Sequence, residues 1–127
     1  KAPETTYKAV KNVIYEPDVA FLKAGLFKTV AKYFQLHKLH QHSHLYTSTR
    51  LTENFPGRTL SVKKVFDFKT FSAKKAGIGK ANVIVRNFPD KPDVLKKKLK
   101  INDGGTEYLY FTTDAKENKI VILANLV

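Results

Sequence analysis

The stretch Phe55-Pro56-Gly57-Arg58 divides this 127-residue chain into two segments with different periodicity. Proline followed by glycine is a strong turn signal, because proline restricts one backbone angle and glycine accepts conformations closed to other residues. Apolar residues recur mainly at helical spacing before the turn, and they alternate in the manner of a strand after it. The sequence therefore predicts a small module over residues 1–56 and a second domain over residues 57–127.

The first module is predicted to contain a strand, a helix and a second strand. The run Asn12–Tyr15 indicates a short strand, and Pro17 and Asp18 favour the start of a helix directly after it in the chain. Four apolar residues then recur at helical spacing, which predicts a single half-buried helix. They are Leu22, Leu26, Val30 and Phe34. The run His44–Thr49 is the second predicted strand, so the module has the order β-α-β.

The second domain is predicted to contain four strands and two helices in the order β-α-β-α-β-β. The elements are a strand with Leu60, Val62, Phe66 and Phe68 on one face, a helix over Thr70–Ala76 ending at Gly77, a strand over Asn82–Arg86, a helix over Pro92–Lys100 whose unit ends at Gly104-Gly105, and a hairpin of Glu107–Thr113 and Lys119–Ala124. Val121, Ile122 and Leu123 place apolar side chains on both faces of the last strand, which predicts a position inside the sheet. The expected class is α+β, with helices packed on one face of the sheet.

Composition narrows the class of protein. Hydrophobic residues make up 43% of the chain, enough for a packed core, and no apolar run approaches the roughly 18 residues of a membrane span. The absence of cysteine excludes disulfides and thiolate metal sites, and it favours a reducing, cytoplasmic location. The chain starts at Lys1 and has no methionine, so we expect a domain excised from a longer protein.

Positive charge is concentrated in one part of the chain. The net charge is +12, and residues 59–100 hold twelve lysines and arginines against three aspartates. A concentrated positive field attracts polyanionic partners. RNA fits this field, and so does an acidic protein surface.

Two motifs that could suggest a cofactor or metal site are weak. Gly77-Ile78-Gly79-Lys80 follows a predicted helix, and Ala81 stands where a phosphate-binding loop needs a hydroxyl residue. The histidines at positions 37, 40, 42 and 44 have no cysteine and no acidic residue nearby before Glu53, so a structural or exposed role is favoured over zinc binding. We therefore expect no catalytic site, no bound cofactor and no metal in this chain.

Nine residues are candidates for contact with nucleic acid. Lysines on the outer face of the second domain attract phosphate as point charges, arginines can hold it in a fork, and exposed tyrosines can stack on bases. The set is Arg58, Lys63, Lys64, Arg86, Lys96, Lys97, Lys100, Tyr46 and Tyr110. Other roles stay open: lysines often only solubilise a surface, strand tyrosines are often core, and the arginines can hold loops through backbone carbonyls.

Six short segments in a fixed order resemble the C-terminal region of a family of bacterial class I S-adenosylmethionine-dependent methyltransferases found in Bacteroidetes. They are Ile14-Tyr15-Glu16-Pro17, Leu22-Lys23-Ala24-Gly25, Ser43-His44-Leu45-Tyr46-Thr47-Ser48, Asn54-Phe55-Pro56-Gly57-Arg58, Val85-Arg86-Asn87-Phe88-Pro89 and Asp103-Gly104-Gly105. In that family a small ferredoxin-like module is followed by a THUMP-like domain, and the catalytic domain lies upstream.

The resemblance implies a non-catalytic role in substrate recognition within a methyltransferase. THUMP domains are associated with RNA-modifying enzymes, so the implied partner is a structured RNA such as tRNA, together with the upstream methyltransferase domain, where S-adenosylmethionine would bind. The alternative is a structural or protein-interaction module that supports the methyltransferase domain or its dimerisation.

Overall fold

The computed structural model of the chain describes residues 7–127. Residues 1–6, which the sequence assigns to the first module, and the side chain of Phe27 lie outside the described residues. The described chain forms seven strands, three α-helices and one short 3-10 helix. In order these are β1 (Val13–Pro17), α1 (Val19–Lys23), α2 (Phe27–Tyr33), β2 (His37–Lys38), β3 (Tyr46–Ser48), β4 (Gly57–Asp67), the 3-10 helix (Phe68–Thr70), β5 (Lys80–Arg86), α3 (Pro92–Leu99), β6 (Asn102–Thr113) and β7 (Lys119–Leu126).

All seven strands belong to one mixed sheet, in the order β2-β3-β1-β4-β7-β6-β5. Neighbouring strands are antiparallel except β5 and β6, which are parallel. β7 lies between β4 and β6, as its apolar residues on both faces predicted. The predicted α+β class is confirmed. No helix within residues 7–127 is long and apolar enough to cross a membrane.

The sheet continues without a break from the first module into the second domain. β1 pairs with β4 over five residues, from Val13 opposite Ser61 to Pro17 opposite Gly57. The Pro-Gly turn therefore leads directly into a strand that hydrogen-bonds to the first module.

Two apolar clusters cover opposite faces of β6 and β7. On one face, Leu109 and Val121 pack with Leu95 of α3, in what is here called the helical cluster. On the other, Tyr110 and Ile122 pack in a cluster that also contains Leu39, from the loop between β2 and β3. Because side chains alternate along a strand, consecutive residues of β6 and β7 point alternately into one cluster and the other.

The sheet is strongly curled, which brings the loop after β2 to the far end of the sheet. His40 Nε2 lies 2.6 Å from Glu117 Oε1 in the β6–β7 loop, and Asn87 Nδ2 lies 3.0 Å from His40 Nδ1. The backbone N–H of His42 also donates to Nδ1, so Nδ1 accepts and Nε2–H donates to Glu117. The curl makes the face that carries Tyr110 concave, and the apolar residues of that face are here called the concave cluster.

The single helix predicted in the first module is wrong. Two helices, α1 and α2, are separated at Gly25, whose φ is +70°, a left-handed conformation that glycine adopts without strain. Leu26, predicted to face the core, is an exposed residue between them. The second predicted strand is present as β3, and β2 was not predicted.

Two expectations for the second domain also need correction. The helix predicted over Thr70–Ala76 is absent: the 3-10 helix Phe68–Thr70 and a series of turns occupy this part of the chain. The face predicted for β4 switches midway, because a bulge between Val62 and Lys64 adds one residue to the strand. Leu60 and Val62 therefore pack with the concave cluster, whereas Phe66 and Phe68 pack with the helical one.

Gly104 and Gly105 do not end the unit that contains α3. Both lie inside β6, where the pairing with β5 shifts between Ala81 and Asn82. Their φ angles are +110° and +81°, and the side chain of Lys80 lies over them. Glycine is needed here because the bulge takes a backbone conformation that other residues rarely adopt.

Candidate nucleic-acid interface

Glu16 is the centre of a polar network on the concave face of the sheet. Arg58 Nη1 donates to Glu16 Oε1 at 3.3 Å, and the hydroxyl of Tyr110 donates to the same oxygen at 3.1 Å. Arg86 Nε donates to the other carboxylate oxygen, Oε2. The carboxylate side chain is only 11% exposed, whereas Arg58 and Arg86 are 47% and 44% exposed. One mostly buried acid therefore holds two arginines whose outer parts face solvent.

The network depends on the register and on the curl of the sheet. Glu16 lies directly opposite Arg58 in the β1–β4 pair, where cross-strand side chains meet. Arg86 comes from β5, four strand positions away, which is about 19 Å in a flat sheet. The contact between Glu16 and Arg86 is therefore possible only because the sheet curls.

Gly57 allows β4 to approach β1 closely at this point. A Cβ on Gly57 would lie 2.1 Å from the backbone oxygen of Glu16, and φ at this residue is +152°. The backbone N–H of Asp18 also donates to the Pro56 carbonyl at 2.9 Å. The Pro56-Gly57 turn thus fixes Arg58 beside Glu16.

A cavity of about 370 Å³ lies beside the network. Five of the six segments that carry the family resemblance contribute to its lining, through Glu16, Leu22, His44, Arg58 and Arg86. These segments are far apart in the sequence, and the fold brings them together at one site. The sixth segment, which holds Gly104 and Gly105, lies at the β6 bulge instead.

Burial and hydrogen bonding shift the titration of several groups in this region. Burial, aided by the charge of Glu16, raises the pKa of Tyr110 well above its ordinary value, so its hydroxyl stays protonated and donates. The hydrogen bond with Tyr110 raises the pKa of Arg58. Burial, followed by the charges of Lys38 and His42, lowers the pKa of His44. The cavity therefore contains a neutral imidazole near pH 7.

Tyr46 and Tyr110 are not exposed, which contradicts the expectation that they stack on bases. Their exposed fractions are 2% and 0%. Burial raises the pKa of Tyr46 to about 12. Tyr46 packs with Tyr15, and Tyr110 packs in the concave cluster. Because stacking needs an open ring face, neither can receive a base in this fold.

Three of the candidate lysines have partners within the protein. Lys63 donates to Glu107 at 2.7 Å, and the ammonium of Lys64 lies 5.1 Å from the ring centre of Phe66. Lys96 donates to Asp103 at 3.0 Å and lies 3.1 Å from Asp93, and these bonds raise its pKa. Phosphate contact by these lysines stays a prediction and would compete with the existing contacts.

Lys97 and Lys100 belong to a different group of lysines, here called the lysine face. Its members are five of the exposed lysines that make no ion pair with any residue in the described part of the chain. They are Lys74, Lys75, Lys97, Lys98 and Lys100. All five come from the two segments, residues 73–75 and 95–101, that also contribute Ala73, Leu95, Leu99 and Ile101 to the helical cluster. The lysines therefore belong to segments that contribute to one core, and Lys74, Lys75 and Lys98 are not among the nine candidates named from the sequence.

The four histidines lie in different local environments. Among residues 7–127 no group of three or more histidines and acidic residues is placed to hold a metal ion. His40 is buried and bonded to Glu117 and Asn87. Its position indicates a role in connecting the β2–β3 loop to the far end of the sheet.

The fold and the site define an α+β protein in which a small first module and a basic second domain are joined by one sheet. Residues 57–125 match the family described as THUMP domain-like, and residues 14–56 match the family described as ferredoxin-like domain. The chain belongs to the THUMP-like family, with a ferredoxin-like domain preceding the THUMP-like one.

A similar protein of known structure comes from a Bacteroidetes species. It is a protein of Porphyromonas gingivalis W83, whose crystal structure is described as that of a "putative methyltransferase", and it matches with a TM-score of 0.91 and 37% sequence identity. The match covers 98% of this chain and 32% of the other, so this chain spans about a third of that protein's length. No curated protein matches the chain.

Proposed function

We propose that this chain is the non-catalytic RNA-recognition region of an S-adenosylmethionine-dependent methyltransferase, and that its ligand is a structured RNA such as tRNA. The THUMP-like family of residues 57–125 and the methyltransferase description of the similar protein support this proposal. S-adenosylmethionine would bind to an upstream domain, in the cytoplasm, and this chain would bind no cofactor itself.

The observation that carries the proposal is the lysine face. Its five lysines are exposed, form no ion pair within residues 7–127, and lie in the two segments that contribute Ala73, Leu95 and Leu99 to the helical cluster of the THUMP-like domain. Ammonium groups that are not neutralised internally keep their full attraction for phosphates, and binding releases counterions from the RNA. Lys97 and Lys98 also lie in the last turn of α3.

Positioning is the contribution to catalysis that this arrangement supports. The lysine face would attract the phosphate backbone, and the rigid sheet would hold the RNA in one orientation relative to the upstream active site. Holding two reactants in a productive geometry can supply a large part of an enzyme's rate advantage. The chain itself would carry out no chemical step.

The test is fluorescence anisotropy of labelled tRNA with the chain across a salt series. The variant is Lys97→Gln/Lys98→Gln, and the matched control is Lys116→Gln/Lys119→Gln, which removes the same charge from the β6–β7 hairpin. An unstructured RNA of the same length is titrated alongside. We expect steep salt dependence in the wild-type chain. In the first variant the slope should become shallower by about 0.7–0.9 for each phosphate that is no longer neutralised.

The outcomes separate specific binding from general charge. A shallower slope in the α3 variant alone, with tRNA bound more tightly than unstructured RNA, supports the proposal. Equal losses in both variants indicate that only net charge matters, and absence of binding at low salt contradicts the proposal.

A second candidate, a protein-interaction module, is favoured by an exposed apolar patch. Leu51, Leu126 and Val127 are at least half exposed, and all three line a cavity of about 510 Å³. Contiguous apolar surface marks many protein contacts. Under this alternative the chain supports the methyltransferase domain or its dimerisation. Leu51→Asp would then weaken self-association measured by analytical ultracentrifugation, or association with the rest of the enzyme, without changing RNA affinity.

A further inference from the structure

The cavity beside Glu16 combines charged and apolar groups. Arg58 and Arg86 contribute guanidinium groups, Asp18 contributes a carboxylate, and Val19 and Leu22 contribute apolar surface. Its volume of about 370 Å³ exceeds that of a single planar heterocycle. The lining can therefore contact both the polar edges and the faces of a planar ligand.

The charges around the cavity are balanced. Two guanidinium groups, Arg58 and Arg86, stand against two carboxylates, Glu16 and Asp18, and burial disfavours the charged form of His44. A balanced site has no net attraction for a phosphate, which the lysine face provides instead. The chemistry of this cavity suits a neutral ligand that has both hydrogen-bond donors and acceptors.

Hydrogen-bonding capacity in the cavity is left over after the internal contacts are made. Glu16 uses both of its oxygens, on Arg58, Tyr110 and Arg86. Arg86 also donates Nη1 to the carbonyl of Val85, but each guanidinium has five N–H groups, so donors remain.

Asp18 supplies the complementary acceptor. It is the N-cap residue of α1, where an aspartate normally accepts from a backbone N–H, yet its carboxylate makes no capping hydrogen bond. It forms no ion pair within the described part of the chain. Its two oxygens are therefore available to a ligand in the cavity.

We propose that this cavity binds one unpaired nucleobase of the RNA, with a preference for guanine. Guanine presents two adjacent acceptors, O6 and N7, which match a guanidinium, and two adjacent donors, N1–H and N2–H, which match a carboxylate. No other RNA base has adjacent pairs of both kinds. Proteins read RNA sequence mainly from unpaired bases that can leave the helix. The proposal rests on the proposed RNA-binding function and adds a sequence preference to it.

The test uses four labelled RNA hairpins that differ only in a single bulged nucleotide, G, A, C or U. Wild-type chain, Asp18→Asn and the control Asp93→Asn are titrated by fluorescence anisotropy. Asparagine retains the N-cap preference of aspartate, so α1 is preserved, and it replaces one of the two acceptors with a donor. We expect wild type to bind the G bulge about tenfold more tightly than the others. The preference should be lost in Asp18→Asn and kept in Asp93→Asn.

A second measurement does not depend on binding to RNA. The chain is titrated separately with GMP and with AMP and followed by NMR. The backbone amide signals around Asp18 and Arg86 should shift at a lower concentration of GMP than of AMP. Equal affinity for all four bulges, with salt-dependent binding intact, overturns the guanine site and leaves the RNA function standing. If no RNA binds but GMP still binds more tightly than AMP, the RNA function is overturned and the guanine site is supported. Failure of both probes overturns both.

Discussion

Glu16 of β1 and Arg86 of β5 form an ion pair although three strands separate them in the sheet. Their contact shows that the sheet closes on itself far enough for one arginine side chain to span the concave side. Tyr110 and Arg58 complete the contact at the same carboxylate, so three strands of the THUMP-like domain meet one residue of the ferredoxin-like domain.

Replacing Glu16 should destabilise the fold. Glu16→Ala leaves the buried hydroxyl of Tyr110 without its acceptor and brings two arginines together without their counter-charge. We expect a loss of about 1–3 kcal/mol in the free energy of unfolding, measured by urea denaturation, with the half-exposed arginines limiting the effect. The control is Glu107→Ala. Glu107 pairs with Lys63 and is more exposed than Glu16, so its loss should cost about 0–1 kcal/mol. Equal losses would contradict a central role for Glu16.

Gly57 should not tolerate a side chain. In Gly57→Ala the new Cβ would meet the backbone oxygen of Glu16 at 2.1 Å, and backbone atoms cannot move aside without separating β1 from β4. We expect a loss above about 4 kcal/mol, or failure to fold, measured by circular dichroism and urea denaturation. Gly79→Ala is the matched control, because no atom lies within 4 Å of its Cβ position. A stable Gly57→Ala chain would contradict the close approach of these strands.

Stability should fall as the pH decreases below neutrality, in part because of His44. Its folded pKa is lowered, so the unfolded chain binds the proton more readily than the folded one. The stabilisation is therefore present above the ordinary histidine value of about 6.5 and is lost as the pH falls towards the lower folded value.

The check compares wild type with His44→Asn in urea denaturation at about pH 7.5 and about pH 5.5. Asparagine tolerates the left-handed backbone of this residue, whose φ is +50°. The loss between the two pH values should be smaller in the variant. Part of the loss will remain, because burial also lowers the pKa of His37. An unchanged loss would show that His44 does not contribute.

Adjacent residues of α3 should respond very differently to truncation. Leu95 is 0% exposed in the helical cluster, so Leu95→Ala should cost about 2–5 kcal/mol in the free energy of unfolding. Val94 is 51% exposed, so Val94→Ala should change it by less than about 0.5 kcal/mol. Chemical denaturation measures the free energy of unfolding of both variants, and the difference reports which side of α3 faces the core. Similar losses of stability would contradict the outward position of the lysines of α3.

Local patterns in the sequence were sufficient for much of the secondary structure. Val121, Ile122 and Leu123 predicted a central strand, and Pro92 with Leu95 predicted α3, because these signals depend only on near neighbours. The break at Gly25 was hidden, since Leu22 and Leu26 keep helical spacing on both sides of it. The spacing of apolar residues indicates which side of a helix is buried, but it does not indicate where the backbone changes direction.

The candidate site depended on long-range contacts that the sequence does not display. Arg58 and Arg86 were selected because a guanidinium can hold phosphate in a fork, but Glu16 was not recognised as their common partner. A lone acid within one of the six segments that carry the family resemblance, in a strongly basic chain, was the available signal. The burial of Tyr110 follows from the curl of the sheet, which no local pattern encodes.

The pairing of β1 with β4 has a consequence for how such chains are inherited. The two family matches meet between Pro56 and Gly57, yet five residue pairs and the Glu16 network cross that point. A genetic exchange at this boundary would deprive β4 of its neighbour and Arg58 of its acid. We therefore expect the ferredoxin-like and THUMP-like parts to be passed between proteins as one unit, and to diverge together.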